Sequence, residues 1–383
     1  MRFIHISDLH IGKRVNEKSL LEEQSHILKQ ICSIIEATRP DAVLIAGDVY
    51  DKAVPSAEAV MLFDSFLVDL SSLAEHIFII SGNHDSAERI AFGSKIMSGS
   101  GIHLSPVYDG KIRPVTLSDE YGDIDIYMLP YLRPVTVRHH LPEEEKEEVD
   151  SYDSAVRKAI EKMGINTDRR NIIVTHQFVT GSQRSESEDV NVGGLDNVDA
   201  NAFEDFDYVA LGHLHRPQDC QDERIRYCGS PLKYSFSEVN DHKSVTLVEL
   251  KEKGSLRREI IPLRPLHDWH DLKGTYEELT SRSYYADTTY REDFVRITLT
   301  DENDIPDAVG KLRAIYRNLM ELRYDNTRTR AGHTAVGTVS KAETMTPEEL
   351  FGELFIKQNA AEMDERQLRF LNSIISRIEE EGR

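Results

Sequence analysis

An α/β fold is predicted for this 383-residue chain, and three observations predict it. Strand-like runs alternate with amphipathic helical segments near the N-terminus. Several strands, such as "DAVLIAGD", are apolar without interruption, as expected of strands buried on both faces. The same strands end on carboxylates, imidazoles or an amide, which places polar chemistry at one edge of a sheet. The length calls for roughly two domains, at about 100–200 residues each.

Taken in order, "RFIHIS" reads as the first strand. "LLEEQSHILKQICSIIEAT" places Leu20, Leu21, Gln24, Ile27, Leu28, Ile31, Ile34 and Ile35 on or near one helical face. "DAVLIAGD" is the second strand. "SAEAVMLFDSFLVDLSSLA" is the second helix, with Ser56 as its cap, and "HIFIISGNHD" is the third strand. This βαβαβ order implies parallel pairing with right-handed crossovers. Further strands are read at "DIYMLP", "NIIVTH" and "DYVALGH". "RIRYCGS", "SVTLVEL" and "LRREIIPL" follow with no helix between them, so antiparallel pairing is expected there.

"PLRPLHDW" (Pro262–Trp269) holds two prolines after the last of these strands, and a domain boundary is placed there. The expected domains are 1–265, 266–343 and 344–383. In the second, "DFVRITLTD" reads as a strand and "IPDAVGKLRAIYRNLME" as a helix, a small α+β unit. The third holds two helices. "TPEELFGELFIKQ" opens with Thr346, Pro347 and Glu349 in capping-box order. "DERQLRFLNSIISRIEEE" spaces Leu368, Leu371, Ile375 and Ile378 by three and four.

Hydrophobic residues make up 39% and charged residues 30%, the balance of a soluble globular protein. No basic region followed by an apolar stretch opens the chain, and no apolar run approaches the roughly 20 residues of a membrane span, so a cytoplasmic protein is expected. Cys32, Cys220 and Cys228 are odd in number and lack CxxC spacing, which fits free thiols in a reducing compartment. The run Glu143–Asp150 reads as a solvated acidic face. A formal net charge of -21 opposes nucleic-acid binding, because phosphate contact relies on Lys and Arg. A DNA substrate would need a local basic patch, bound cations or a basic partner.

Five strand ends carry the chemistry. They are Asp8-x-His10, Gly47-Asp48, Gly82-Asn83-His84-Asp85, His176 and Gly212-His213-x-His215. Carboxylates, imidazoles and one amide, with no thiolate, suit Mn²⁺, Fe²⁺ or Mg²⁺, with Zn²⁺ also compatible. The set is too large for one ion that leaves room for substrate and about right for two. A carboxylate such as Asp48 can bridge two ions, and a pair roughly 3.5–4 Å apart can hold phosphoryl oxygens and acidify water. The glycines before Asp48, Asn83 and His213 fit tight turns or close backbone approach. His5 is expected in the core, and His26, His76, His103, His139, His140, His242, His267, His270 and His333 are read as packing or surface residues.

In that order these motifs resemble the calcineurin-like metallophosphoesterases over roughly the first 265 residues. "HISDLHIGK", "AGDVYDKAVPS", "SGNHDS", "LPYLRP", "DYVALGHLHRPQ" and "YCGSPLKYSFSE" resemble the SbcD-type nucleases, bacterial counterparts of the meiotic-recombination-eleven nuclease. The resemblance implies a four-layer β-sandwich of mixed sheets flanked by helices, with a small α+β capping domain that guides DNA and a helical C-terminal tail. It implies one ion on Asp8, His10, Asp48 and His215, and a second on Asp48, Asn83, His176 and His213. Mn²⁺ is the first expectation for both. His84 would protonate the leaving oxygen, and Asp85 would orient its ring. Some relatives carry a second histidine three residues after the bridging aspartate, where this chain has Asp51, which leans toward the bacterial branch.

The implied activity is a DNA exo/endonuclease serving repair, recombination and replication, in complex with an SbcC-type SMC-like ATPase and as a homodimer. The expected location is cytoplasmic and nucleoid-associated. Lys311, Arg313, Arg317, Arg323, Arg328 and Arg330 are either a phosphate-contacting surface or a solvated face. Leu350, Phe351, Leu354, Phe355, Leu368, Leu371 and Ile375 are either core or the ATPase-binding face. Rival readings are a small-molecule phosphodiesterase, a protein phosphatase, and a scaffold whose metals serve folding.

Overall fold

Two six-stranded mixed sheets build the N-terminal part of the protein. The computed structural model describes residues 1–183, 197–333, 347–359 and 362–381. The chain divides into two units, Met1–Asp268 and Trp269–Arg383.

In the first sheet the parallel strands Arg2–Ile6, Ala42–Ala46, His76–Ile80 and Ile102–Leu104 lie side by side. The antiparallel pair Ser244–Leu250 and Leu256–Pro262 joins it beside Arg2–Ile6. In the second sheet Gly122–Leu129, Arg170–His176, Tyr208–Gly212 and Asp222–Tyr227 run parallel. Val115–Asp119 and Gln218–Cys220 form its antiparallel edges.

The sheets share one core. Phe3, Ala46, Phe78 and Ile80 cluster with Ile126, Ile172, Val174 and Ala210. Each large apolar side chain buried this way contributes about 1.5–3 kcal/mol before entropy is counted. Strands buried on both faces need cover on the outside as well, and helices supply it. The helix Tyr152–Glu161 places Ala155, Val156, Ala159 and Ile160 against Tyr127, Ile173, Val209 and Leu211 of the second sheet. Leu21–Thr38 buries Ile27, Leu28, Ile31 and Ile35. Ala57–Leu73 buries Ala59, Phe63, Phe66 and Leu70, and packs beside it and against the strand His76–Ile80. Ser56 caps that second helix, accepting the Ala59 N–H at 3.3 Å.

His5 is buried and its Nδ1 meets the Tyr208 hydroxyl at 2.9 Å, as a core histidine should. The acidic run forms a 3₁₀ turn, Glu143–Glu148. Lys158 lies 3.2 Å from Glu145 and 2.9 Å from Glu148, which offsets part of the repulsion.

The smaller unit holds a parallel three-stranded sheet, Trp269–Gly274, Phe294–Leu299 and Asn318–Tyr324. Leu272, Val295, Ile297, Leu312, Tyr316 and Leu319 form its core. The helix expected over 305–321 is not continuous. A short helix, Ala308–Arg313, gives way to the strand Asn318–Tyr324. Apolar residues at helical spacing mimic the period, but pairing with Phe294–Leu299 takes the second half into the sheet. The strand Asp222–Tyr227 also departs from expectation. It pairs parallel with Tyr208–Gly212 in the second sheet, rather than with Ser244–Leu250.

Two helices, Pro347–Asn359 and Glu365–Glu381, end the described chain. Thr346 and its capping box lie outside the described residues.

Candidate metal centre

Parallel strands in register bring their carboxyl ends to one edge. Asp8 and His10 follow the strand Arg2–Ile6, Asp48 follows Ala42–Ala46, and Asn83 and His84 follow His76–Ile80. From the second sheet come His176, paired in register with Gly212, and then His213 and His215. The first two loops are laced together: Asp8 N–H donates to the Gly47 carbonyl at 3.0 Å and His10 N–H to the Asp48 carbonyl at 2.9 Å.

The geometry carries local strain. Asp8 (φ 53°), His10 (φ 43°), Asp48 (φ 48°) and His213 (φ 103°) all have left-handed backbone, which persists only where the surroundings over-determine it. Gly47 sits at φ 85°, and a Cβ there would lie 2.5 Å from His176 Nδ1. A Cβ on Gly212 would collide with the Ala46 carbonyl oxygen. Glycine is therefore required at both positions.

The side chains are buried and their lone pairs converge. Asp8, His10 and His215 offer ligand atoms within 4.8 Å of one another, as do Asp8, Asp48 and His176, and also His10, Asp48 and His84. His10 Nε2 faces His215 Nε2 at 3.0 Å. His176 Nδ1 donates to the Ala46 carbonyl at 2.8 Å, which leaves Nε2 as its acceptor in the neutral ring. That Nε2 faces Asn83 Oδ1 at 2.9 Å and Asp48 Oδ2 at 3.3 Å. Asn83 Oδ1 also faces His213 Nδ1 at 3.0 Å. Carboxylate, amide and imidazole atoms that face one another in a dry site call for positive charge among them, and this donor set fits a pair of divalent cations.

The ionisation states carry the same demand. Burial by itself would raise the Asp48 pKa, but His176, His10 and His84 outweigh it and hold the carboxyl well below its usual range. Burial raises Asp8. It also pushes His10 well below an ordinary histidine, which keeps that ring neutral with a free lone pair. His176 is the opposite case. Burial lowers it, yet the charge and hydrogen bond of Asp48, helped by Asp8 and the Ala46 carbonyl, raise it to about 9. A proton on His176 thus stands where a cation would.

His84 lies at the rim, its side chain 19% exposed, with its ring edge-on to His10 at 4.8 Å. Its Nδ1 meets the Asp51 carbonyl at 3.1 Å, and its main-chain N–H donates to Asp48 Oδ1 at 2.9 Å. The expected role of Asp85, orienting the His84 ring, is corrected. The Asp85 carboxylate accepts the N–H groups of Gly82 (2.9 Å), Tyr50 (3.0 Å) and Val49 (3.1 Å), and so ties two ligand loops together. Burial, with the Asp48 charge, raises its pKa to about 6.

Several supporting residues have no role in the motif reading. Glu238 is fully buried, its Oε1 3.5 Å from His215 Nδ1 and its Oε2 2.5 Å from Lys243 Nζ. Lys243 also donates to the His215 carbonyl at 2.8 Å. Gln24 donates to the His10 carbonyl at 2.7 Å, and the Tyr234 hydroxyl donates to the Leu9 carbonyl at 2.5 Å. A polar residue on the apolar face of its helix was the available signal for Gln24. Tyr234 and Glu238 lie within "YCGSPLKYSFSE", whose wording marks the family without telling what each residue does.

Residues 1–217 match the family model described as calcineurin-like phosphoesterase, and the chain belongs to that family of metal-dependent phosphoesterases. Residues 262–359 match a second model, SbcD_C, described as type 5 capsule protein repressor C-terminal domain. The particular branch follows from curated relatives. The chain is 32% identical over 326 residues to the SbcD subunit of the nuclease SbcCD from Staphylococcus epidermidis, covering 84% of this chain and 85% of the relative. It is 32% identical over 327 residues to the protein of the same name from Staphylococcus saprophyticus, covering 84% of each. Within the phosphoesterases it therefore belongs with the SbcD-type subunits. Among solved structures, a dimetal phosphatase from Danio rerio aligns with a TM-score of 0.38 and 11% identity, over 69% of this chain and 99% of that one.

Proposed function

We propose that this protein is the nuclease subunit of an SbcCD-type complex and hydrolyses phosphodiester bonds at DNA ends or hairpins. The observation that carries the reading is the convergence of carboxylate and imidazole ligand atoms at one sheet edge, in a chain related to SbcD subunits along most of its length. Asp8, His10, Asp48 and His215 would hold one cation, and Asp48, Asn83, His176 and His213 the other, Mn²⁺ being the preferred metal. Bound there, the pair supplies Lewis acidity toward the phosphoryl oxygens and a water acidic enough to ionise near neutral pH.

The chain's own groups do the rest. Asp48, ionised because histidines surround it, anchors the middle of the site. His84, held through Nδ1 by the Asp51 carbonyl, turns its Nε2 toward the centre, 4.0 Å from Asp48 Oδ2. In its protonated form it donates that Nε2–H to the departing sugar oxygen, since an unprotonated alkoxide leaves poorly. The partly exposed rim position suits a group that must meet substrate.

Two surfaces favour partners. Phe351, Leu354 and Leu368 are exposed while Leu371 is buried, an apolar face suited to a helix of an SbcC-type ATPase. The side chain of Leu350 lies outside the described residues. Met61 and Val68 of the second helix, with Phe92 and Ile96 after the strand His76–Ile80, are exposed and suit a homodimer contact. No helix among the described residues is long and apolar enough to cross a membrane. Cytoplasmic residence on the nucleoid completes the reading.

The test is Mn²⁺-dependent hydrolysis of duplex DNA ends against bis-p-nitrophenyl phosphate, with and without the ATPase and ATP. The expected outcome is DNA cleavage that the partner enhances. Activity confined to the small diester would favour a small-molecule phosphodiesterase. Deleting the chain after Ala342 is expected to keep hydrolysis of the small diester and abolish co-purification with the ATPase.

A further inference from the structure

Asp51 belongs to no motif that names a ligand, yet two histidines of the site turn toward it. His10 directs Nε2 at the cation position, facing His215 Nε2 at 3.0 Å and Asp48 Oδ2 at 3.6 Å. Its proton therefore sits on Nδ1 when a cation is held. That nitrogen is buried and, among the described residues, has no hydrogen-bond partner. A ligating histidine ordinarily donates its other N–H to a carboxylate or carbonyl, which fixes the tautomer and makes the ring a better donor to metal. The carboxylate facing His10 Nδ1 is that of Asp51, at 3.8 Å.

Asp51 is held for this task. Its Oδ1 pairs with Lys13 Nζ at 2.8 Å, and its side chain is only 12% exposed. Its N–H donates to the Ile11 carbonyl at 3.2 Å, tying it to the loop that carries His10. Its own carbonyl meets His84 Nδ1 at 3.1 Å. One residue thus faces a metal-facing histidine with its side chain and meets the rim histidine through its main chain.

We propose that Asp51 is a positioning residue of the metal centre. Its carboxylate takes the His10 Nδ1–H when a cation occupies Nε2, and its carbonyl fixes the ring of His84. Closing the gap from 3.8 Å to a hydrogen bond of about 2.9 Å needs only a small side-chain rotation, and a carboxylate oxygen accepts from Lys13 and His10 together. The inference rests on the metal-centre reading above.

The test is calorimetric titration of Mn²⁺ into the full-length wild type, Asp51→Asn and Asp51→Ala. Both variants lose the negative charge, so any effect of field alone is equal in the two. Only asparagine keeps an oxygen for the His10 N–H. Asp51→Ala is expected to bind one Mn²⁺ about 10–100-fold more weakly, with Asp51→Asn between it and wild type. Equal affinities for the two variants, at wild-type level or below it, overturn the proposal. If Asp51→Ala does not fold, ¹⁵N-histidine NMR of the Mg²⁺-loaded wild type decides. A hydrogen-bonded, slowly exchanging His10 Nδ1–H supports the assignment, and one exchanging as freely as a solvated ring N–H overturns it. A wild type that binds no Mn²⁺ would count against the metal centre itself, whereas normal wild-type binding with indistinguishable variants removes only the role of Asp51.

Discussion

Charged and titratable groups crowd together in the candidate metal centre and in the stretch Gly310–Arg330 of the smaller unit, and the two crowds obey different physics. In the centre, the side chains of His10, Asp48, His176 and His215 are 0–2% exposed. Their ligand atoms face one another, a state that burial makes costly and that positive charge, a proton on His176 or a cation, relieves. In the second place, Arg317, Arg323, Arg328 and Arg330 keep half or more of their side chains in solvent. Each has a carboxylate partner: Glu292, Glu321, Asp304 and Asp325. Exposed pairs of this kind are screened by solvent, add little to stability and ask for no ligand. The difference teaches that a site is marked by charge that burial leaves unbalanced, rather than by charge density. The arginine stretch is thereby better described as an ion-paired surface than as a ready-made phosphate cradle.

The largest effect is expected inside the centre. Asp48→Asn should reduce DNA hydrolysis to background, and His84→Ala should lower turnover by about 10²–10⁴-fold while two Mn²⁺ still bind. Quenched cleavage assays and calorimetry on the same preparations check both. Near-normal turnover by His84→Ala would remove its proton-donor role, and near-normal turnover by Asp48→Asn would erase the contrast between the two regions.

A step smaller lies in the support behind His215. Glu238→Ala leaves buried Lys243 with only the more distant Asp241 carboxylate, at 3.9 Å, and should destabilise the fold by about 3 kcal/mol, measured by urea unfolding. A loss under about 1 kcal/mol would mean that the buried pair behaves like a surface one.

The smallest effect is expected in the arginine stretch. Arg328→Ala should leave the urea-unfolding midpoint indistinguishable from that of the wild type, because solvent screens the pair it breaks. If that arginine contacts a phosphate, the salt slope of DNA binding should also fall by about 1. An unchanged slope would leave Arg328 as a partner of Asp304 alone, which sharpens the comparison.

That Asp8, His10, Asp48, Asn83, His176, His213 and His215 gather at one edge was legible because each interrupts or ends a buried apolar strand, where polar residues are expensive. Glu238, Lys243 and Gln24 were not legible as supports. The loops they support, those of His215 and His10, lie elsewhere in the chain, and only Gln24, polar on an apolar helix face, carried a local signal. The Asp85 role was misread for a related reason. Sequence adjacency to His84 implied a side-chain contact, whereas the turn directs the carboxylate onto the N–H groups of Gly82, Val49 and Tyr50. The segment 305–321 failed differently, since apolar spacing cannot separate a helix from a short helix followed by a strand when strand pairing makes the choice.

Period, apolar continuity and the placement of polar residues at strand ends are local properties. They were enough to define an α/β frame, its order of strands and helices, and the side chains at its functional edge. Which sheet the strand Asp222–Tyr227 joins and which carboxylate faces which imidazole are non-local. So is the pairing of Arg317 with Glu292 and of Arg328 with Asp304. Those depend on contacts between residues up to hundreds of positions apart, such as Glu23 with His267, and only the packed tertiary structure decides them.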